Sequence, residues 1–185
     1  SKGLIKLIGD NTSKYVQGYF QYDSKKSGGM TISHLRFSDK EIRSTYYVNN
    51  PSIVVVSMDS YLNIINPLKD IKNNGIFILN TTKSSEEVNE FLTAEMKEII
   101  KARKIKFYTI NSYEIARKNN LKNKISMIME SVIIKLSNLI DYDLAFEKMQ
   151  EYIKARYFKN GKDIVNNNIK AFSCALEYIN EIEIN

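Results

Sequence analysis

Three short, almost uninterrupted apolar runs constrain the fold of this chain more than any other feature. They are SIVVVSM (52–58), GIFILNT (75–81) and IKFYTI (105–110). Runs of this kind are typical of strands that are buried on both faces, as in a parallel sheet covered by helices. Because the 185 residues contain two prolines and no Gly/Ser-rich linker or internal repeat, we expect one α/β domain spanning residues 1–185.

The segment between the second and third runs predicts a helical crossover. Ser84 and Glu87 have the spacing of a capping box, in which each residue satisfies a backbone N–H group of the other. The apolar residues that follow share one helical face: Val88, Leu92, Met96 and Ile99. A helix between two strands makes the unit β-α-β and predicts that the strands pair in parallel.

The C-terminal third is predicted to be helical. Residues 125–140 are apolar on most sides, residues 144–157 are amphipathic, and residues 165–179 repeat apolar side chains at spacings of four and three. Asp141 is predicted to be an N-cap. The sequence therefore predicts a three-layer, Rossmann-like α/β domain with a mostly parallel sheet, whereas the opening GLIKLIGD fits a strand or a helix equally well.

A β-hairpin with a basic tip is predicted near the N-terminus. Residues 15–22 alternate as a strand does, residues 30–37 are again rich in β-compatible side chains, and YDSKKSGG lies between them. Two interpretations stay open. Lys25, Lys26, Ser27, Gly28 and Gly29 form an anion cradle, in which glycine lets successive N–H groups point one way and ammonium groups add charge, or they are the solvated tip of an ordinary hairpin.

Composition excludes several kinds of site. One cysteine, Cys174, and one histidine, His34, cannot form an internal disulfide, a zinc site or an iron–sulfur cluster. The formal charge of +6 favours acidic partners, but the lysines of KEIIKARKIK (97–106) are not interleaved with aromatic residues for base stacking, which argues against nucleic acid. No apolar run reaches the length of a membrane span and no signal-peptide pattern is present, so we expect a cytoplasmic location.

His34 and Arg36 lie two residues apart and therefore share one face of the second hairpin strand. With Lys25 and Lys26 they would extend a basic surface toward a long anionic ligand. Because no recognisable carboxylate or nucleophile motif accompanies His34 in the sequence, a hydrogen-bonded structural role is the simpler interpretation. Cys174, within an amphipathic helix, is interpreted as a small buried hydrophobe.

Longer strings resemble a known family. IGDNTSKYVQGYFQYDSKKSGGMTISHLRFSDKEIRSTYYVNN (8–50) closely resembles the third domain of pyruvate:ferredoxin (flavodoxin) oxidoreductases, which corresponds to the gamma subunit of multi-subunit 2-oxoacid oxidoreductases. The resemblance continues through NGIFILNT (74–81), NKISMIME (123–130) and NNNIKAF (166–172), and so covers essentially the whole chain.

The resemblance implies a function. In this family pyruvate is decarboxylated on thiamine diphosphate, electrons pass through iron–sulfur clusters to ferredoxin or flavodoxin, and coenzyme A takes the acetyl group. The third domain is associated with holding coenzyme A. The resemblance thus makes Lys25 and Lys26 the leading phosphate ligands, with Ser27, Gly28 and Gly29 shaping the loop and Asn123 as a further contact. No catalytic residue and no metal ligand is expected in this chain.

The resemblance also implies partners. Thiamine diphosphate, magnesium and [4Fe–4S] clusters would lie in other domains of the parent enzyme, which would be a homo-oligomer and would donate electrons to ferredoxin or flavodoxin. The isolated domain is expected to be inactive. The alternative is a purely structural module, whose basic hairpin docks onto an acidic neighbouring domain without touching a ligand.

The chain departs from the family pattern in two places. It begins at SKGLIKLIGD, without methionine and without the GDGTVGANK-like segment that precedes this part in relatives. We therefore expect an N-terminally truncated domain that opens on the end of a helix and lacks its first strand. Ser126 and Glu130 stand where relatives often have Asn and Gln, and an added carboxylate near the cleft would oppose an anionic ligand.

Overall fold

The computed structural model describes residues 2–22, 30–42 and 50–185. Two compact units make up the chain. The sheet unit comprises Lys14–Ile110 and Asn180–Asn185, and the helical unit comprises Ser1–Ser13 and Asn111–Ile179.

The sheet unit is built on six strands that lie side by side in the order in which they occur in the sequence. Pairing is parallel between the third and fourth and between the fourth and fifth strands, and antiparallel elsewhere. The predicted α/β class is confirmed, but the sheet is mixed rather than mostly parallel, because a hairpin and a C-terminal strand flank the three parallel strands. The strands are β1 (Tyr15–Tyr22), β2 (Met30–Ser38), β3 (Ile53–Val56), β4 (Ile76–Asn80), β5 (Lys106–Ile110) and β6 (Asn180–Ile182).

The three apolar runs form β3, β4 and β5, as predicted. Their side chains on one face join a hydrophobic cluster that includes Val54, Phe77 and Phe107, and the two phenylalanine rings stack with centroids 4.7 Å apart. Side chains that point to the opposite face, such as Val55 and Ile78, are buried as well. Burial on both faces explains why these strands lack the alternation of polar and apolar residues seen in a half-exposed sheet.

The crossover between β4 and β5 contains two helices, α2 (Ser85–Phe91) and α3 (Ala94–Ala102). The predicted capping box is present: the Glu87 N–H donates to Ser84 Oγ at 3.2 Å, and the Ser84 N–H donates to Glu87 Oε1 at 3.0 Å. A break at Leu92 and Thr93 divides the predicted single helix, because Thr93 Oγ1 caps α3 by accepting from the Met96 N–H at 3.2 Å. The predicted apolar face is still formed, since buried residues of α2 and α3 pack in the same hydrophobic cluster as β3, β4 and β5.

The helical unit contains five α-helices within its described residues: α1 (Lys2–Asn11), α4 (Ser112–Lys118), α5 (Ser126–Ser137), α6 (Tyr142–Tyr157) and α7 (Lys162–Cys174). The opening GLIKLIGD is thus helical. Residues 127–134 of α5 are all buried, and the helix ends where Asn138 takes a left-handed conformation (φ 53°). Asp141 caps α6 as predicted, since its Oδ2 accepts from the Leu144 N–H at 3.1 Å.

A polar clasp joins three helices of this unit. Ser131 Oγ of α5 donates to the Phe172 carbonyl of α7 at 2.6 Å and lies 2.9 Å from the Tyr142 hydroxyl of α6. Burial raises the pKa of Tyr142, while the hydrogen bond with Ser131 opposes that shift. The clasp satisfies buried polar groups that would otherwise destabilise the helix packing.

Candidate functional site

The strand register fixes the edge of the sheet at which β1 ends and β2 begins. Because β2 runs antiparallel to β3, with Ile32 opposite Val56, the start of β2 lies beside the end of β3. The end of β1, at Tyr22, lies at this same edge, opposite Met30. In open α/β sheets, ligands bind in the crevice beyond the carboxyl ends of the parallel strands. Tyr22 and Met30, the last residue of β1 and the first of β2, therefore lie at that edge.

The predicted phosphate ligands belong to this segment. Lys25, Lys26, Ser27, Gly28 and Gly29 lie outside the described residues, so their role as an anion cradle stays a prediction.

A polar cluster follows β3 and β4 at the same edge. Asp59, in a short 3-10 helix after β3, accepts at Oδ2 from Thr81 Oγ1 at 2.7 Å and from Lys83 Nζ at 3.1 Å. The Lys83 ammonium also lies 4.6 Å from the centroid of the Phe91 ring. Because this lysine is partly buried and already paired with a carboxylate, the cluster fixes the loop that enters α2 rather than offering an open cation.

Asn123 belongs to the helical unit. It is exposed, in a turn between Lys122, whose φ is 57°, and the start of α5. Of the two residues that differ from those often found in relatives, Ser126 is exposed at the first position of α5, whereas Glu130 is only 4% exposed.

His34 and Arg36 lie on the described part of β2. His34 is partly exposed, its ring centroid lies 5.9 Å from that of Tyr19, and burial lowers its pKa while the nearby Asp70 carboxylate opposes the shift. The imidazole is therefore neutral near pH 7. Arg36 is six residues beyond Met30, or about 20 Å along the strand, and it belongs to the opposite edge of the sheet, where β3 and β4 begin.

That opposite edge holds a second concentration of charge, which we call the amino-edge groove. It has a volume of about 820 Å³ and is lined by residues that precede β1, β3, β4 and β5, by the last three residues of β2 and by the two residues that follow β2. Its charged side chains are Lys14, Arg36, Asp39, Lys40, Lys69, Asp70, Lys72 and Arg103. The groove cannot be recognised in the sequence because its cations come from four separate segments, none of which is a motif by itself.

Cys174 is the last residue of α7 and lies in the helix predicted from the sequence. It is partly rather than fully buried; its Sγ donates to the Ala171 carbonyl at 3.7 Å and accepts from Asn119 Nδ2 at 3.8 Å. Among the described residues, no group of three or more His, Cys, Asp or Glu side chains is placed to hold a metal ion. No helix in the same part of the chain is long and apolar enough to cross a membrane.

The fold and these side chains define an α/β protein with charged groups at both edges of its sheet and no cluster of metal ligands among the residues described. The chain belongs to the pyruvate ferredoxin/flavodoxin oxidoreductase family, whose model matches residues 1–178. This confirms the family identified from the sequence strings.

Curated relatives are far longer than this chain. It is 43% identical to a pyruvate:ferredoxin oxidoreductase of Moorella thermoacetica over 183 residues, which are 99% of this chain and 16% of the relative. It is 40% identical to a pyruvate-flavodoxin oxidoreductase of Trichormus variabilis, covering 98% of this chain and 15% of the relative. The chain thus spans about one sixth of these relatives.

Solved structures support the fold. Subunit PORC of a pyruvate oxidoreductase from Thermotoga maritima matches 99% of this chain and 89% of its own length, with a TM-score of 0.70 and 19% identity. A 2-oxoglutarate:ferredoxin oxidoreductase from Magnetococcus marinus, solved with 2-oxoglutarate, coenzyme A and succinyl-CoA bound, matches 95% of this chain and 27% of its own, with a TM-score of 0.64 and 14% identity.

Proposed function

We propose that this chain is a single domain of a cytoplasmic pyruvate:ferredoxin or pyruvate:flavodoxin oxidoreductase and that it binds and positions coenzyme A. The family match along residues 1–178 is the observation that carries this proposal. In the parent enzyme, oxidative decarboxylation of pyruvate would yield acetyl-CoA and reduce ferredoxin or flavodoxin. The proposed partners are the other domains of that enzyme and its electron acceptor.

Lys25 and Lys26 are the proposed phosphate ligands, and the strand register supports them. β1 ends at Tyr22 and β2 begins at Met30, both at the edge where α/β sheets receive ligands. Ammonium groups bind phosphate as point charges, and a loop with Ser27, Gly28 and Gly29 allows the backbone to approach a phosphate closely. Asn123 is proposed to contact a polar group of the coenzyme.

The other cofactors are proposed to lie elsewhere in the parent enzyme. One cysteine in the whole sequence cannot ligate a [4Fe–4S] cluster, which needs several thiolates. Thiamine diphosphate, bound with magnesium in another domain, would supply the decarboxylation chemistry. This domain would hold the phosphate end of coenzyme A so that its thiol reaches the acyl group.

The proposal is tested in the full-length enzyme with the double variant Lys25→Ala/Lys26→Ala. Charge-assisted hydrogen bonds contribute at least about 1.5 kcal/mol each, so losing two should raise KM for coenzyme A by about a hundredfold. The rate of pyruvate decarboxylation measured without coenzyme A should not change. Lys148→Ala/Lys154→Ala, which removes two exposed lysines of α6, is the matched control.

Salt and a modified ligand separate this function from the structural alternative. Phosphate binding predicts that KM for coenzyme A rises with ionic strength and that dephospho-coenzyme A binds more weakly than coenzyme A. A hairpin that only docks onto a neighbouring domain predicts neither effect. An unchanged KM in the double variant, with decarboxylation intact, would rule out these two lysines as ligands.

A further inference from the structure

The amino-edge groove has more positive charge than its own carboxylates can balance. Six cationic and two acidic side chains line it, so the difference is 6 − 2 = +4. Lys14 is paired with Asp39. Within the described residues, Arg36, Lys40, Lys69 and Lys72 make no ion pair, and the three lysines are exposed.

The backbone beneath these cations is held in place. Arg103 Nη1 donates to the carbonyls of Lys69 at 2.7 Å, Ile71 at 2.9 Å and Leu68 at 3.4 Å. The Lys72 N–H donates to the Pro51 carbonyl at 2.9 Å, which ties the loop to the residues before β3. The groove is therefore a preformed surface, and a partner does not have to order this loop when it binds.

The groove does not have the features of a small phosphate site. Such sites use several backbone N–H groups that point at one anion. Here the N–H groups of residues 71, 72, 74 and 75 all donate to backbone carbonyls. The cations instead lie at the ends of long side chains that surround a volume of about 820 Å³, and the partly exposed Phe37 supplies apolar surface between them. Such an arrangement fits an extended polypeptide that carries several carboxylates.

A second copy of this chain is a poor occupant because each copy has a formal charge of +6. The remaining five sixths of the relatives' length is a much larger source of contacts. We propose that the amino-edge groove binds an acidic segment from another part of the same parent polypeptide. This rests on the part of the proposed function that makes the chain one domain of a larger enzyme, and it does not depend on the coenzyme A ligands.

Zero-length crosslinking in the full-length enzyme tests the contact. A carbodiimide joins an ammonium group to a carboxylate only where the two touch. We expect Lys69, Lys72 or Lys40 to be linked to an Asp or Glu outside this 185-residue region of the same polypeptide. Lys118 and Glu114, which lie 3.1 Å apart on α4, are the internal positive control and should link in every sample.

Three results would overturn the proposal. The first is that these lysines form no link outside the region although Lys118 and Glu114 link. The second is that their links join different subunits, which would indicate a contact between copies. The third is that acetylation of the lysines is blocked only when tripolyphosphate is added, which would make the groove a small-anion site.

Charge exchange provides an independent readout. Lys69→Glu/Lys72→Glu should lower the inactivation temperature of the full-length enzyme more at low than at high ionic strength, while Lys148→Glu/Lys154→Glu should not show this dependence. Exchanging the crosslinked carboxylate for lysine should restore the temperature, and failure to restore it would contradict the pairing. If charge reversal at Lys69 and Lys72 prevents folding, the milder double variant Lys69→Gln/Lys72→Gln replaces it in the same test. KM for coenzyme A should not change in the Lys69/Lys72 variants. Failure of this proposal can therefore be distinguished from failure of the coenzyme A proposal, which the Lys25/Lys26 variant tests.

Discussion

Replacing Gly75 with alanine should destabilise the sheet unit. A Cβ atom on Gly75 would lie 2.8 Å from the Lys72 carbonyl oxygen and 3.0 Å from the Ser52 carbonyl oxygen. Both oxygens accept hydrogen bonds from this same segment, from the N–H groups of Gly75 and Ile76. The methyl group therefore cannot be accommodated by turning a side chain, and the backbone at the start of β4 has to move.

The size of the effect follows from the required movement. Ordinary contact begins near 3.4 Å, so the nearest oxygen has to retreat by 3.4 − 2.8 = 0.6 Å. Overpacking of this kind costs about 1–3 kcal/mol of unfolding free energy, or a decrease of about 2–12 °C in Tm for a chain of this size.

Gly9→Ala is the matched control. Gly9 is exposed in α1, and nothing lies within 4 Å of its Cβ position. This variant should gain about 0.5–1 kcal/mol because alanine favours a helix interior. Urea denaturation followed by circular dichroism measures both changes, and amide exchange in β3 and β4 localises the first. If Gly75→Ala is as stable as the parent chain while Gly9→Ala gains stability, the steric reasoning is wrong.

Three further predictions concern other contacts of the structure. Ser84→Ala should lose about 1 kcal/mol of stability by urea denaturation because the capping box of α2 is removed, and its neighbour Ser85→Ala should lose less than half of that. Ser131→Ala should cost about 0.5–1.5 kcal/mol, since the buried Phe172 carbonyl loses its 2.6 Å hydrogen bond and keeps only the 3.3 Å bond from the Tyr142 hydroxyl; a change below about 0.5 kcal/mol would contradict the clasp. Because burial lowers the pKa of His34 in the folded chain, the unfolded chain binds more protons just below pH 6.5, so stability should fall as pH decreases from about 7.5 to about 5.5. His34→Gln should show a smaller fall in Tm over this range. An equal fall would show that His34 is not the group responsible for the pH dependence of stability.

Local sequence signals predicted most of the elements of this fold. The runs at β3, β4 and β5 are apolar because both of their faces are buried, and the capping box depends on two residues three positions apart. The break at Thr93 was missed because the apolar spacing continues through it while a side-chain cap restarts the helix. The antiparallel hairpin was predicted, but the antiparallel pairing of β6 was missed because β6 has only three residues and carries no periodic signal.

The predicted hairpin tip and the amino-edge groove differ in how easily they can be recognised in the sequence. The hairpin tip is a contiguous string, so its lysines and glycines can be recognised by reading along the chain. The amino-edge groove is assembled by strand order, which brings Lys14, Arg36 and Lys72 together from distant positions. His34 and Arg36 lie two residues apart, which suggested one basic surface with Lys25 and Lys26. The direction of β2 instead places Arg36 at the end of the strand remote from Met30, beside the start of β3.

The strand that pairs with β5 on its outer side is synthesised long after β5 itself. β5 ends at Ile110 and β6 begins at Asn180, so the ribosome advances by 180 − 110 = 70 residues between the two. At about 5–20 residues per second, this takes roughly 4–14 s. During that interval the outer side of β5, with Phe107 and Thr109, has no strand to pair with and is open to other nascent chains. The nascent polypeptide therefore stays vulnerable to misassembly at this strand until translation reaches Ile182, which then lies opposite Phe107.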